Sequence, residues 1–348
     1  MKILHTADVH LHTEHPRRLE ALQELVSLGR EENIDLLLIA GDLFDDHQQA
    51  ELLRGETRRL FSNLPYKVLA IPGNHDERAF SQDSFWGADF SALTQQPCSV
   101  QDFGAWRIVA VPYTTGSFAS LAPTLKEKAV PGKTNVLLLH CSWSLPHYTG
   151  EDYGGEDLRY LPVTEETLTG LGYDYILAGH FHATYKQRRL PCGAVFVYPG
   201  SPVSVTAREQ GPRAVNLVDQ EGCRPLSLNT WYFQTADFQL TPGNTREVLR
   251  QVEQTLAEHS PHNCQLTINI SGFIDEAETE FQARLEAMVA GRANTELKPL
   301  YLSVRHILDD PLYQRFSQYL EQESDPELRR RMEAMALEAL SQLFAEGR

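Results

Sequence analysis

The sequence has little cysteine and no cysteine pair of the kind that binds zinc or forms a redox centre. Its five cysteines are an odd number, and no two are separated by two residues, which argues against a disulfide framework or a cysteine zinc site. No apolar run approaches the ~20 residues of a membrane-spanning helix, and no signal-peptide core precedes the first predicted strand. We therefore expect buried, reduced thiols in a soluble, cytoplasmic protein.

Positive charge is also scarce. The chain has 31 Lys and Arg against 47 Asp and Glu, a formal net charge of −16. This excess of negative charge argues against non-specific nucleic-acid binding over a broad surface, which usually needs a basic face. Bound divalent cations can supply positive charge where a phosphate must lie, so a nucleic-acid substrate stays open.

Hydrophobic residues make up 42% of the 348 positions, enough for one large domain and a smaller one. The apolar pattern predicts strands at 2–6, 34–40, 66–71, 107–111, 135–139, 173–178 and 194–198, with helices at 16–32 and 52–64. The run at 34–40 is almost continuously apolar, which is typical of a strand buried on both faces. Strand–helix alternation followed by more strands indicates an α/β fold of two packed sheets with helices outside.

The pattern changes at about residue 231. Helices are predicted at 245–256 and 275–288, and strands at 265–270 and 300–304, which together indicate a small α/β domain. Ser324 and Glu327 could form a capping box that begins a last amphipathic helix. We divide the chain into a catalytic domain at 1–230, a small domain at 231–310 and a C-terminal helical segment at 311–348.

Polar residues follow five of the predicted strands. They form the blocks Asp8-Val9-His10, Gly41-Asp42, Asn74-His75, a single His140, and His180-Phe181-His182. Because ligands gather at the carboxyl ends of parallel strands, we expect one site at this rim. Carboxylate, imidazole and amide ligands suit Mn, Fe or Zn.

This ligand set predicts a two-metal phosphoesterase. Two metals ~3.5–4 Å apart need a shared carboxylate, and Asp42 is the natural bridge, with a glycine before it for close approach. A water held by both metals would lose a proton near neutral pH and become the nucleophile. Asp76, which follows His75, is expected to brace the loop and not to bind metal.

In this order, the five blocks resemble the signature of the calcineurin-like metallophosphoesterase superfamily. The resemblance implies one metal held by Asp8, His10, Asp42 and His182, and a second held by Asp42, Asn74, His140 and His180. It also implies that His75 is not a ligand but protonates the leaving oxygen or stabilises the phosphoryl charge. Asp45 matches the carboxylate that orients this histidine in many members.

Within the superfamily, the chain looks more like the SbcD-type and Mre-type DNA repair nucleases. The opening Met1-Lys2-Ile3-Leu4-His5-Thr6-Ala7-Asp8-Val9-His10-Leu11 resembles theirs, as do Ala40-Gly41-Asp42-Leu43-Phe44-Asp45 and the turn Tyr198-Pro199-Gly200-Ser201. The resemblance implies an α/β/β/α sandwich with a C-terminal capping domain, a DNA substrate, manganese, and an SbcC-type coiled-coil ATPase as partner. The terminal helix could dock this ATPase or pack on its own domain, and a homodimer is left open.

Basic residues after the last metal-ligand block are candidates for binding a phosphate backbone. They are Lys186, Arg188 and Arg189, for which a solvated surface is an equal alternative. A Gly- and Tyr-rich acidic loop at 147–160 could border the substrate, although a solvated loop is favoured.

The leading prediction is a metal-dependent DNA exonuclease or endonuclease subunit of the SbcD type. A second hypothesis keeps the chemistry but changes the substrate to a small molecule or a phosphoprotein, which the acidic balance favours slightly. A third is a non-catalytic DNA-tethering or scaffold subunit whose metals only hold the fold.

Overall fold

The computed structural model describes residues 1–80, 84–144 and 160–345. The chain forms two compact units, Met1–Phe233 and Gln234–Arg348. Most of the predicted substrate-bordering loop, residues 147–159, lies outside the described residues. The predicted three-part division, with a cap at 231–310 and a helical segment at 311–348, stays a prediction.

The first unit alternates strands and helices along the chain. Its elements are β1 Ile3–Thr6, α1 Pro16–Glu31, β2 Leu36–Ala40, α2 His47–Leu60, β3 Lys67–Ile71, β4 Phe90–Ala92, β5 Ser99–Phe103, β6 Trp106–Ala110, α3 Phe118–Lys128, β7 Thr134–His140, α4 Glu165–Leu168, β8 Tyr175–Gly179, β9 Lys186–Arg189, β10 Val195–Tyr198, β11 Ala214–Asp219 and β12 Gly222–Ser227.

These strands build two six-stranded sheets. The first has the order β12-β11-β1-β2-β3-β4 and the second β5-β6-β7-β8-β10-β9. Strands β1 to β4 are parallel to one another, as are β6, β7, β8 and β10, whereas β11, β5 and β9 pair antiparallel with β1, β6 and β10. All the ligand-bearing strands therefore end at the same edge of their own sheet.

A shared apolar layer joins the inner faces of the two sheets. Leu36 and Leu38 of the first sheet belong to the same buried cluster as Ile108, Leu138 and Leu177 of the second. The outer face of each sheet packs on helices, α1 and α2 on one side and α3 on the other. The structure confirms the predicted two-sheet α/β sandwich.

Strand β2 shows why its sequence is apolar at every position. Leu36 and Leu38 face the layer between the sheets, whereas Leu37 and Ile39 face the helical layer. All five of its residues are buried. The prediction of a strand buried on both faces is therefore confirmed.

The second unit is a three-stranded sheet with helices. Its elements are β13 Tyr232–Leu240, whose first two residues still belong to the first unit, α5 Thr245–Glu258, β14 Cys264–Ile274, α6 Glu278–Val289, β15 Thr295–Ser303, α7 Arg305–Leu308, α8 Pro311–Leu320 and α9 Pro326–Ala345. The sheet order is β13-β14-β15, with β14 and β15 parallel. In this unit the predicted strands exist but are longer than their alternating segments.

Helix α9 begins as predicted but with a different cap. The Asp325 carboxylate accepts hydrogen bonds from the backbone N–H groups of Glu327 at 2.9 Å and Leu328 at 3.3 Å, so Asp325 and not Ser324 caps the helix. Leu337 is buried beside Tyr313, whereas Met335 remains 62% exposed. Among the described helices, none combines the length and the apolar composition that crossing a membrane requires.

Candidate metal centre

Polar residues from both sheets meet in one buried cluster at the carboxyl ends of the strands. The exposed fractions of its ligand-type residues are 0% for Asp8, 2% for His10, 1% for Asp42, 2% for His140, 1% for His180 and 4% for His182. Charged and polar groups buried to this extent are costly unless they bind each other or a cation. Asn74 and His75 lie at the edge and are half-buried.

The backbone at this rim is strained where it presents the ligands. Asp8, His10, Asp42 and His180 have positive φ angles of 56°, 49°, 52° and 90°, in or near the left-handed region that side chains rarely adopt. Each such residue costs on the order of 1–3 kcal/mol and persists only where the surroundings enforce it. Strain at four ligand positions indicates a site built for function.

Two glycines let the ligand loops approach closely. A Cβ at Gly73 would collide with the carboxylate and backbone of Asp42, and a Cβ at Gly41 would collide with the ring of His140. Gly41 also has a φ of 93°, which favours glycine. A side chain at Gly73 would therefore displace the bridging candidate Asp42, and one at Gly41 would displace His140.

One half of the cluster contains Asp8, His10 and His182. The Nε2 atoms of the two histidines face each other at 3.3 Å, and His182 Nε2 lies 3.8 Å from Asp8 Oδ1. The Asp8 carboxylate is held in place by the backbone N–H of His180, at 3.0 Å to each oxygen. Ligand atoms of these three residues lie close enough together to hold one metal ion.

The other half contains Asn74, His140 and His180. His140 Nε2 lies 2.9 Å from Asn74 Oδ1 and 3.2 Å from Asp42 Oδ2, and the rings of His140 and His180 are 5.1 Å apart. Asp42 Oδ2 is also 3.8 Å from His10 Nε2. Asp42 therefore lies between the two halves, where the sequence predicts a bridging carboxylate.

The donor set fits divalent cations. His140 Nδ1 donates to the Ala40 carbonyl at 2.8 Å, so Nε2 turns its lone pair toward two oxygens. Only a proton or a metal ion on Nε2 makes this arrangement favourable, and the same holds for the facing nitrogens of His10 and His182. Neutral imidazoles and paired carboxylates are the ligands of first-row divalent metals.

Charges in the cluster shift the pKa values of its members. Burial acts to lower the pKa of His140, but the Asp42 and Asp8 carboxylates outweigh burial and raise this pKa to about 10. Burial and His140 hold the pKa of His180 well below its usual value. The carboxylates of the cluster therefore favour a positive charge between His140 Nε2 and Asp42 Oδ2.

His75 lies beside the cluster and is half-buried. Its Nδ1 lies 3.1 Å from the backbone carbonyl of Asp45, and its ring packs edge-on against His10 with centroids 4.8 Å apart. The Asp45 carboxylate instead lies 3.2 Å from His10 Nδ1 and accepts from Arg18 at 3.1 Å. The hydrogen-bond contact between Asp45 and His75 is made by the main-chain carbonyl of Asp45, and the carboxylate lies within 4.8 Å of the His75 ring; its orienting role stays a prediction.

Asp76 has the bracing position expected from the sequence. It is fully buried and accepts hydrogen bonds from the backbone N–H groups of Gly73, Leu43 and Phe44 at 2.8, 2.8 and 3.2 Å. Burial, followed by the Asp42 carboxylate, raises the pKa of Asp76 to about 7. Asp76 thus joins the two loops that carry Asp42 and Asn74.

Sequence reasoning missed the group behind His182. The Glu209 carboxylate is 1% exposed and lies 3.4 Å from His182 Nδ1. Arg213, 2% exposed, donates to the His182 carbonyl at 2.5 Å and to the Ser201 carbonyl at 2.9 Å. No local pattern distinguishes these two residues from solvated surface charges, because their burial depends on contacts across the fold.

The three basic candidates lie on β9, an exposed edge strand. Because β9 runs antiparallel to β10, Lys186 pairs with Tyr198 at the metal rim, whereas Arg189 pairs with Val195 at the opposite end. Arg188 donates to Glu165 at 2.8 Å. The structure therefore brings only Lys186 of the three to the rim.

A model of the calcineurin-like phosphoesterase family matches residues 1–184, a span that contains all five of the polar blocks. Three solved structures also resemble this one. The protein TT1561 of Thermus thermophilus is 12% identical, with 65% of this chain and 98% of that chain covered and a TM-score of 0.42. A dimetal phosphatase from Danio rerio is 12% identical, with coverages of 66% and 98% and a TM-score of 0.45. Purple acid phosphatase PPD1 from yellow lupin (Lupinus luteus) seeds is 12% identical, with coverages of 62% and 49% and a TM-score of 0.41.

Proposed function

Because the chain belongs to the calcineurin-like phosphoesterase family, we propose that it is a two-metal phosphodiesterase that cleaves DNA, as a nuclease subunit of the SbcD type. The observation that supports the two-metal chemistry most strongly is the buried cluster, in which Asp42 lies between two sets of imidazoles. In one half, the Nε2 atoms of His10 and His182 face each other, and in the other half His140 Nε2 faces two oxygens. Two buried groups of ligand atoms arranged in this way suit two divalent cations.

The ligand sets follow from the two halves of the cluster and the resemblance. Asp8, His10, Asp42 and His182 would hold one ion, and Asp42, Asn74, His140 and His180 the other. When bound, such a pair activates water at neutral pH and stabilises charge on the oxygens of the phosphoryl group. We propose manganese, with iron or zinc as alternatives.

His75 is the residue that we propose as the general acid or phosphoryl stabiliser. The Asp45 carbonyl, 3.1 Å from Nδ1, fixes the ring and assigns to Nε2 the contact with a leaving oxygen. Unlike the deeply buried ligands, His75 is half-buried and can reach a substrate. Asp45 supports the site from behind, through its carbonyl at His75 and its carboxylate at His10.

We propose DNA as the substrate because three segments resemble those of the SbcD-type nucleases. They are the opening strand, the Asp42–Asp45 block and the turn at Tyr198. Lys186 is the residue best placed to bind a phosphate of the DNA backbone, because it lies at the rim. The partner that we propose is an SbcC-type coiled-coil ATPase. Met335 and Leu328 of α9, 62% and 43% exposed, are available for such docking.

A cleavage assay tests the substrate. Purified protein, loaded with manganese, is incubated with single-stranded and double-stranded DNA, alone and with the ATPase partner. We expect DNA cleavage that a chelator abolishes. Absence of cleavage in all four mixtures, with both metals bound, would refute the nuclease assignment.

A small phosphoester is the second candidate substrate, and one observation favours it. Arg188 is paired with Glu165, and Arg189 lies at the far end of its strand, which leaves Lys186 as the one of the three basic candidates at the rim. Turnover of bis-p-nitrophenyl phosphate without cleavage of DNA would support this alternative.

A further inference from the structure

We propose that the two metal positions are unequal, and that Glu209 makes the position at Asp8, His10 and His182 the tighter one by orienting His182. The inference rests on the metal-binding part of the proposed function and not on the DNA substrate. Glu209 acts through His182 and is therefore a positioning residue.

The ring of His182 is held from behind by a buried carboxylate. Glu209 Oε1 lies 3.4 Å from His182 Nδ1, a charged contact that favours the tautomer with its proton on Nδ1 and the Nε2 lone pair toward Asp8 and His10. A carboxylate behind a ligating histidine fixes its tautomer and raises its basicity.

The carboxylate itself cannot turn away. Glu209 Oε2 accepts from Ser201 Oγ at 2.7 Å and from the Val205 backbone at 2.8 Å, and Oε1 accepts from the Thr206 backbone at 3.2 Å. Arg213 holds the main chain of His182 through its carbonyl at 2.5 Å. The Glu209 carboxylate and the main chain of His182 are thus both held in place before any metal binds, which lowers the cost of orienting the ring for binding.

His10 and His182 differ from His140 in the group that lies behind the ring. His10 has the same arrangement as His182, since the Asp45 carboxylate lies 3.2 Å from its Nδ1. Behind His140 stands a neutral acceptor, the Ala40 carbonyl at 2.8 Å. A carboxylate raises imidazole basicity more than a carbonyl does, so the first half should bind a divalent ion more tightly and fill first.

Calorimetric titration of the metal-free full-length protein with Mn²⁺ tests this proposal. The wild type should show a tight and a weaker step, and His140→Ala should remove the weaker step. Glu209→Gln keeps an acceptor but loses the charge, and we expect it to weaken the tight step about tenfold, with up to about a hundredfold loss for Glu209→Ala. Glu221→Gln, which makes the same change on a carboxylate that is 87% exposed and lies outside the cluster, should leave both steps unchanged.

The outcomes separate the possible failures. If the wild type binds no Mn²⁺, the metal centre itself is wrong, whereas absent DNA cleavage with normal binding affects only the substrate. Glu209→Gln binding like the wild type, or losing only the weaker step, would overturn the proposal. Circular dichroism of each variant identifies a folding defect, and Glu209→Gln keeps the test decisive if Glu209→Ala does not fold.

Discussion

Replacing His75 with alanine separates a catalyst from a metal ligand. His75 is half-buried, and its Nδ1 is fixed at 3.1 Å from the Asp45 carbonyl, which suits a group that acts on substrate. Its ring nitrogens also lie within 4.8 Å of ligand atoms of His10 and Asp45, so the geometry alone would allow a third metal group. The two roles predict different losses.

A general acid or charge stabiliser contributes about 10²- to 10⁴-fold to the rate, or about 3–5 kcal/mol of barrier. We therefore expect His75→Ala to lower kcat on DNA by this factor while both metals stay bound. A general acid should matter much less with bis-p-nitrophenyl phosphate, because nitrophenolate leaves without a proton. Equal losses on both substrates would assign His75 to stabilising phosphoryl charge.

The assay combines metal content after gel filtration with steady-state kinetics on both substrates. His47→Ala is a matched control, because His47 is exposed at the start of α2. Unchanged turnover in His75→Ala would refute its catalytic role. Loss of one metal equivalent would show instead that His75 is a ligand.

Three further predictions concern packing, charge and acid stability. Gly73→Ala should lower metal affinity and turnover, because the added Cβ collides with Asp42; metal titration measures the loss. Lys186→Ala should raise the KM for DNA several-fold and reduce its salt dependence by about one charge, whereas Arg189→Ala at the far end of the strand should change neither. Burial lowers the pKa of His5 to about 3 from 6.5, so the unfolded chain binds a proton that the folded protein rejects. Stability should then fall as the pH drops from 6.5 toward 3, and His5→Gln should flatten this slope in urea titrations.

The sequence predicted the parts of the fold that follow from strong local patterns. The run at 34–40 is apolar at nearly every position because β2 is buried on both faces, and the structure confirms it. Asp8, Asp42 and His140 were predicted to be neighbours from their residue types and from their positions directly after apolar strands. In the structure, their ligand atoms do lie close together. Each signal is local, or depends only on parallel strands ending at one edge.

Other elements had no local signal to predict them. Helix α2 begins at His47, earlier than expected, because Asp46 caps it through a hydrogen bond of 2.8 Å to Gln49 N, while its first turn is largely polar. Strand β9 is exposed along its length and has no apolar alternation, so it depends on pairing with β10. Glu209 lies far from His182 in the sequence, and its carboxylate comes close to the His182 ring only when the chain folds.

Cleavage of a labelled DNA oligonucleotide, followed while metal-free protein is titrated with Mn²⁺, tests the central claim most directly. The proposed two-metal site predicts little turnover at one equivalent and full turnover once the second equivalent has bound, with Asp42→Asn inactive throughout. Cleavage that reaches its maximum at one equivalent or without metal, or no cleavage of DNA at two bound equivalents, would contradict it.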